Sequence, residues 1–282
     1  MAIRIITDST SDIPLDQQEK LGIEIVSLSV RFGNEEYLDG VNLTKEDFYK
    51  KLSQCEKLPT TAQVNPDKFA EVFRKYMDNA DEVIGIFISS KLSGTFQSAE
   101  IAKNMLNDNN IFLVDSLSAT FGLALLVYEA VKMRNEGHSA KEIYSAIKKL
   151  TGRLKFYAVV DTLKYLKMGG RLSSSSAFLG TILHIKPIIS IAGGEIVPFD
   201  KKKGLKAAAE CIAQKLAEVK PDTGYQILFG DSAAPDLAKM LKDAVSATVD
   251  IGSSEAIAIG AVVGTHAGPG CAGVAYIAAA GD

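Results

Sequence analysis

The sequence predicts an α/β protein in two parts. Residues 1–152 read as an α/β/α domain on a parallel sheet, and residues 153–282 as an α/β domain on a mixed sheet. Three observations carry this. In the first part, short apolar runs alternate with helix patterns, and strand-helix-strand repetition implies a parallel sheet with helices on its faces. In the second part, Gly193-Gly194 lies between two apolar runs, which is a tight-hairpin signal. A length of 282 residues gives room for two sizeable cores.

The elements follow in order. Residues 3–7 and 23–30 are apolar and β-rich, and Phe32-Gly33-Asn34-Glu35 reads as a turn. Thr44 caps a helix with acids in its first turn. Asn65-Pro66-Asp67 starts another, with Asn as cap and Pro at the first helical position. A strand over 83–88, a helix over 94–106 and a strand over 111–114 come next. Helices over 119–135 and 139–151 close the first part. No Pro/Gly-rich linker marks the boundary near 152. Beyond it come the hairpin of 188–191 with 195–198, a helix over 204–219 and a strand over 225–229. A helix over 234–245 and strands over 248–251 and 273–278 complete the chain. The glycine-broken segment 256–280 reads as core strand and loop.

Composition narrows the function. A net charge of −3 gives no bulk attraction to nucleic acid or anionic membrane. The absence of Trp argues against a platform for stacking bases. Cys55, Cys211 and Cys271 are far apart and form no C-x-x-C pair, so neither a zinc site nor a disulfide framework is expected. Reduced thiols, together with an N-terminus unlike a signal peptide, point to a cytoplasmic protein. No apolar run has membrane-spanning length.

The richest stretch for chemistry is 86–99, where an apolar strand runs into Ser89, Ser90, Ser93 and Thr95 just as a helix starts. Hydroxyls and free amides at a helix N-terminus suit a carboxylate or a phosphate. The phosphate motifs fail. There is no G-x-x-x-x-G-K-[ST], and Gly268-Pro269-Gly270-Cys271-Ala272-Gly273 matches G-x-G-x-x-G with no room after it for a nucleotide fold. A G-x-S-x-G elbow is absent too.

Other candidates have a plain reading beside a functional one. Asp8-Ser9, Asp115-Ser116 and Asp231-Ser232 each end an apolar strand, as turn caps or as parts of a common crevice. Asp8 stands where an aspartyl-phosphate enzyme keeps its nucleophile, but the second Asp such enzymes want is Thr10 here. Phosphoryl or acyl transfer by Asp8 is therefore the alternative function. Thr60-Thr61 precede a capped helix and could donate to the anion held by Ser93. Of the three histidines, His138 follows Glu136-Gly137 in a connection and His184 reads as a core residue. His266 is surrounded by small residues that let a ligand approach. Lys164, Lys167 and Arg171 surround Gly169-Gly170, as a solvated helix end or as a basic face for a partner.

Taken together, Asp8-Ser9, Thr60-Thr61-Ala62-Gln63, Ser89-Ser90 with Ser93-Gly94-Thr95, Asp115-Ser116, Gly169-Gly170-Arg171, Lys186-Pro187-Ile188 and His266-Ala267-Gly268-Pro269-Gly270 resemble the DegV family of bacterial fatty-acid-binding proteins. They run in order across nearly the whole chain. The resemblance implies two α/β domains with a long-chain fatty acid, such as palmitate or oleate, in a tunnel between them. It implies that Thr61 and Ser93, with Gly94 beside them, bind the carboxylate near His266. Thr95, Ser116 and Thr265 are the supporting candidates. The resemblance also implies a non-catalytic carrier, with no cofactor and no metal, that presents its lipid to a separate fatty acid kinase for acyl-phosphate formation and phospholipid synthesis. Arg171 falls in the motif tied to kinase docking. Burying a methylene contributes roughly 0.8 kcal/mol, so a sixteen-carbon chain supplies on the order of 10 kcal/mol before costs. The head group then needs orientation more than strength. Residues 121–126, 177–180 and 256–259 are candidate tunnel linings.

Overall fold

The computed structural model describes residues 2–79, 81–173 and 184–281. In chain order the first elements are β1 (Ile3–Asp8), α1 (Leu15–Leu21), β2 (Ile23–Val26), β3 (Ser29–Phe32), β4 (Glu35–Leu38), α2 (Lys45–Gln54), β5 (Thr60–Ala62), α3 (Pro66–Met77) and β6 (Glu82–Phe87). Then come α4 (Thr95–Leu106), β7 (Ile111–Asp115), α5 (Thr120–Asn135), α6 (Ala140–Leu150), β8 (Leu154–Val159) and α7 (Lys164–Met168). The chain continues through β9 (Ile185–Ala192), β10 (Glu195–Lys203), α8 (Leu205–Glu218), β11 (Ile227–Ser232), α9 (Pro235–Ser246), β12 (Ser254–Ala258), α10 (Ala261–Ala267) and β13 (Cys271–Ile277).

The predicted α/β class is what the chain folds into. Strands in the order β2-β1-β6-β7 form an all-parallel sheet, and its central strands are buried on both faces. A six-stranded sheet in the order β10-β9-β8-β13-β11-β12 is mixed: β11 and β12 are parallel and the other pairs antiparallel. The Gly193-Gly194 turn joins β9 to β10, and both glycines have positive φ. Cores lie on both faces of the six-stranded sheet. Tyr157, Val159 and Val274 point to α8 and α9, while Phe156, Ala158 and Ala275 point the other way, as the period of two requires.

The element facing that second side is α5. It buries residues around its whole circumference, from Phe121 to Val131, because it packs on both sheets at once. Phe121 fits because Gly230 and Gly273 lie beneath it. A Cβ at either glycine would stand 2.1 Å or 2.8 Å from its ring.

The sequence reading departs from the structure in several places. Residues 23–30 are two strands in different sheets, β2 and β3, since the chain turns between them. The strand expected over 248–251 lies instead at Ser254–Ala258, beside β11. Residues 261–267, expected to be strand or loop, form α10: small residues let this helix pack tightly, and a Cβ at Gly264 would stand 2.7 Å from Phe48 and Tyr49. Thr60–Ala62, read as loop, is an edge strand of a third sheet, β4-β3-β5. His184 is exposed at positive φ and is not a core residue. The expected lining at 177–180 lies outside the described residues.

Candidate ligand-binding site

A cavity of about 160 Å³ lies between α5, the six-stranded sheet and the small sheet. The six-stranded sheet supplies its apolar floor through Phe156, Ala158, Ile189, Ile191, Ile196 and Cys271. From the other side come Leu28, Ile88, Leu92, Ala119, Val262 and Val263. Most of the polar side chains gather in one cluster, Thr61, Gln63, Ser93, Arg171 and His266, with Gly94 beside them; Thr120 adds a hydroxyl at the start of α5.

That cluster is assembled from distant parts of the chain. The β3–β5 ladder holds Thr61 opposite Val30. The His266 imidazole, in the last turn of α10, places Nε2 3.0 Å from Thr61 Oγ1. Its Nδ1 is buried without a hydrogen-bond partner, against Gly169, where a Cβ would come within 2.2 Å. Burial, and secondarily the Arg171 charge, lowers the His266 pKa to about 4, so the ring is neutral at pH 7. In the tautomer with its proton on Nε2 the ring donates to Thr61, which leaves the Thr61 O–H free to donate elsewhere.

Ser93 precedes α4. Its Oγ accepts the Thr95 amide at 3.2 Å and pairs with Thr95 Oγ1 at 2.9 Å. Thr95 is buried and supports Ser93 from behind. Gly94 leaves room for Gln63, whose Oε1 would lie 2.1 Å from a Cβ there. The Gln63 amide donates to Ser98 Oγ at 3.0 Å, tying β5 to α4. Ser89 and Ser90 shape the loop: Ser89 Oγ donates to Gly194 O at 2.8 Å, and the Ser90 amide donates to Asp115 Oδ1 at 3.2 Å.

Other candidates stand apart from the cluster. Ser116 Oγ donates to Ser118 O at 3.1 Å in its own turn. Thr265 Oγ1 donates back to Ala261 O at 2.8 Å within α10. Neither lines the cavity. Asp8 is fully buried, with Oδ1 accepting from the Thr10 amide at 2.9 Å and from the Thr10 hydroxyl. Its Oδ2 accepts from the Ile88 amide at 2.8 Å. Burial raises its pKa to about 6, and no oxygen of it is presented to a substrate. Among the described residues, no group of three or more His, Cys, Asp or Glu is placed to hold a metal ion.

Arg171 is half-buried and lines the cavity. Its Nη1 donates to Gly169 O at 2.6 Å and its Nε to Leu92 O at 3.2 Å, which fixes a positive charge beside the hydroxyls. The sequence assigns Arg171 to partner docking and not to the wall; it places Gln63 and Gly169 within motifs without giving either a role at the site, and it assigns no lining role to the floor residues. The apolar run from Phe156 to Val160 marks a buried strand but does not tell which of its faces Phe156 and Ala158 occupy.

The fold is that of an α/β protein with an apolar cavity whose polar side chains gather mainly at one end. The comparisons agree in kind. The DegV family model, which describes uncharacterised proteins, matches residues 2–279, and the chain belongs to the DegV family. A DegV domain-containing protein of Caldanaerobacter subterraneus is 38% identical over 97% of this chain and 98% of its own length. Among solved structures, a fatty-acid-binding DegV family protein of Thermus thermophilus superposes with a TM-score of 0.89 at 33% identity, covering 98% of this chain and 100% of that one. A stearic-acid-binding protein of Eubacterium ventriosum gives a TM-score of 0.88 at 28% identity, covering 99% and 98%. No helix among the described residues is long and apolar enough to cross a membrane.

Proposed function

We propose that this chain binds a long-chain fatty acid such as palmitate or oleate, with the carboxylate at Thr61, Ser93 and His266 and the acyl chain in the apolar cavity. The observation that carries the reading is the 3.0 Å Thr61–His266 contact at the polar end of that cavity. With the His266 proton on Nε2, the ring occupies the acceptor side of Thr61 and the hydroxyl proton is directed at an anion. Ser93 donates from the opposite wall, and Arg171 supplies charge without a direct ion pair. Fatty acid binding by the Thermus thermophilus and Eubacterium ventriosum relatives supports the same reading.

The ligand lies between the parts spanning 1–152 and 153–282, since both contribute walls. The protein acts as a cytoplasmic carrier without catalysis of its own or a cofactor. Engagement of Asp8 by three donors weighs against the transfer-enzyme alternative. The carrier presents its lipid to a separate fatty acid kinase, and acyl-phosphate for phospholipid synthesis is the product. Arg171, at the cavity wall beside exposed Met168, is the residue through which docking would be felt inside.

Native mass spectrometry of the purified protein tests the binding reading. A co-purified fatty acid, or a mass increment on adding palmitate or oleate to delipidated protein, is expected. A spectrum unchanged by either lipid overturns it.

A further inference from the structure

We infer that Asp39 and Asp12 are positioning residues for the head-group site, acting through α10 on His266; this rests on the fatty-acid reading above.

Helix α10 has only seven residues, and a free helix of that length is unstable. Gly260 offers no side chain to cap it. Two carboxylates from far away in sequence do so instead. The Gly260 amide donates to Asp12 Oδ1 at 2.8 Å, and the Ala261 amide donates to Asp39 Oδ1 at 3.0 Å. Both acids are 3% exposed. Negative groups at this end also oppose the helix dipole favourably. Gly260 is obligatory, since a Cβ there would stand 2.6 Å from Asp12 Oδ1 and 3.2 Å from Asp39 Oδ1.

Where the clamp is anchored makes it more than a cap. Asp39 directly follows β4, and its amide donates to Leu28 O at 2.9 Å. The sheet of β4, β3 and β5 also carries Thr61. One small sheet thus grips α10 at both ends, through Asp39 at the first turn and through Thr61 at His266. Helix α2 braces the approach: Lys45 donates to Asp12 O and Ala258 O, and Tyr49 donates to Ile259 O at 3.1 Å. The distance between Thr61 and His266 is set by this grip, because α10 has no other N-terminal cap. Burying two acids close together has a cost that a helix end with solvent access would not incur, and it pushes Asp12 up to about 7 and raises Asp39.

The test titrates delipidated protein with palmitate and with hexadecanol, which has the same chain length without the carboxylate. Asp39→Ala is expected to weaken palmitate about tenfold and hexadecanol by less than about twofold. The His266 Nε2 proton, followed by imidazole nitrogen NMR, should lose its slow exchange. Asp39→Asn retains an oxygen acceptor and should restore most of both. Equal loss for the two ligands, or unchanged palmitate binding, overturns the inference. Should Asp39→Ala fail to fold, the palmitate-to-hexadecanol ratio of Asp39→Ser decides by the same criterion. Wild-type protein that binds neither ligand would instead overturn the fatty-acid reading itself.

Discussion

The turn after β1 and the loop after β6 are built from the same materials. Each leaves a buried parallel strand, each is dense in hydroxyls, and they lie side by side at the carboxyl edge of one sheet. At the β1 end, Asp8 and Ser9 are consumed: Asp8 takes three donors, and Ser9 Oγ accepts the Leu28 amide at 3.1 Å. At the β6 end, Ser89 is consumed but Ser93 stays half-exposed at the wall of a cavity. The difference teaches that residue type does not make a site. A site forms where hydrogen-bonding capacity is left over and space adjoins it.

The sharpest test of that contrast removes the spare capacity. Thr61→Val combined with Ser93→Ala should weaken palmitate at least ~100-fold by calorimetry, since each hydrogen bond to a charged group contributes roughly 1.5–3 kcal/mol. Retained affinity would mean that the β6 end is as closed as the β1 end. Next in size, Gly169→Ala drives a methyl into His266 Nδ1, and palmitate binding should fall about tenfold with a loss of stability of about 1–3 kcal/mol. On the β1 side the effect moves from binding to stability. Asp8→Asn turns an amide donor toward the Ile88 N–H or the Thr10 donors, so urea unfolding should show a loss of about 1–3 kcal/mol with palmitate affinity unchanged.

The remaining test is in pH dependence, where His266 on α10 and the buried acids after β1 have opposite signs. His266 is held neutral by burial, with its pKa lowered to about 4. Its stabilising contribution is present above the ordinary value near 6.5 and is lost as pH falls toward 4. Asp8 and Asp12 are raised by burial to about 6 and about 7. Their contribution is present at low pH and is lost as pH rises through those values. Asp12→Asn should therefore gain on the order of 1 kcal/mol over the parent for each pH unit between about 4 and 7, a gap that closes only below the ordinary carboxylate value near ~3.9. A gap independent of pH would show that Asp12 does not ionise in that range.

Much of the fold was legible because its signals are local. Caps at Thr44 and Asn65 mark helix starts that the structure shows, and Gly193-Gly194 marks the hairpin. The small sheet and α10 were not legible. Thr60–Ala62 is too short to show a period, and α10 is held by partners more than 200 residues away. The structure places Thr61, Ser93, Gly94 and His266 on one cavity, but only order along the chain linked them in the sequence. Ser116 and Thr265 looked equivalent to these because sequence does not reveal whether a hydroxyl has already found a local acceptor.

Phe121, seated on Gly230 and Gly273, has a consequence for how the chain comes together. The helix that carries it is the shared wall of both sheets, and one hydrophobic cluster runs from Ile5 and Ile86 through α5 to Phe156, Leu228 and Ile277. Neither architectural half can finish its core before the other arrives. Unfolding should be a single cooperative transition, with matching midpoints for probes in residues 1–152 and 153–282. A chain stopped at residue 152 would expose the far side of α5 as a bare apolar stripe, so during synthesis the first half must wait for the last strand.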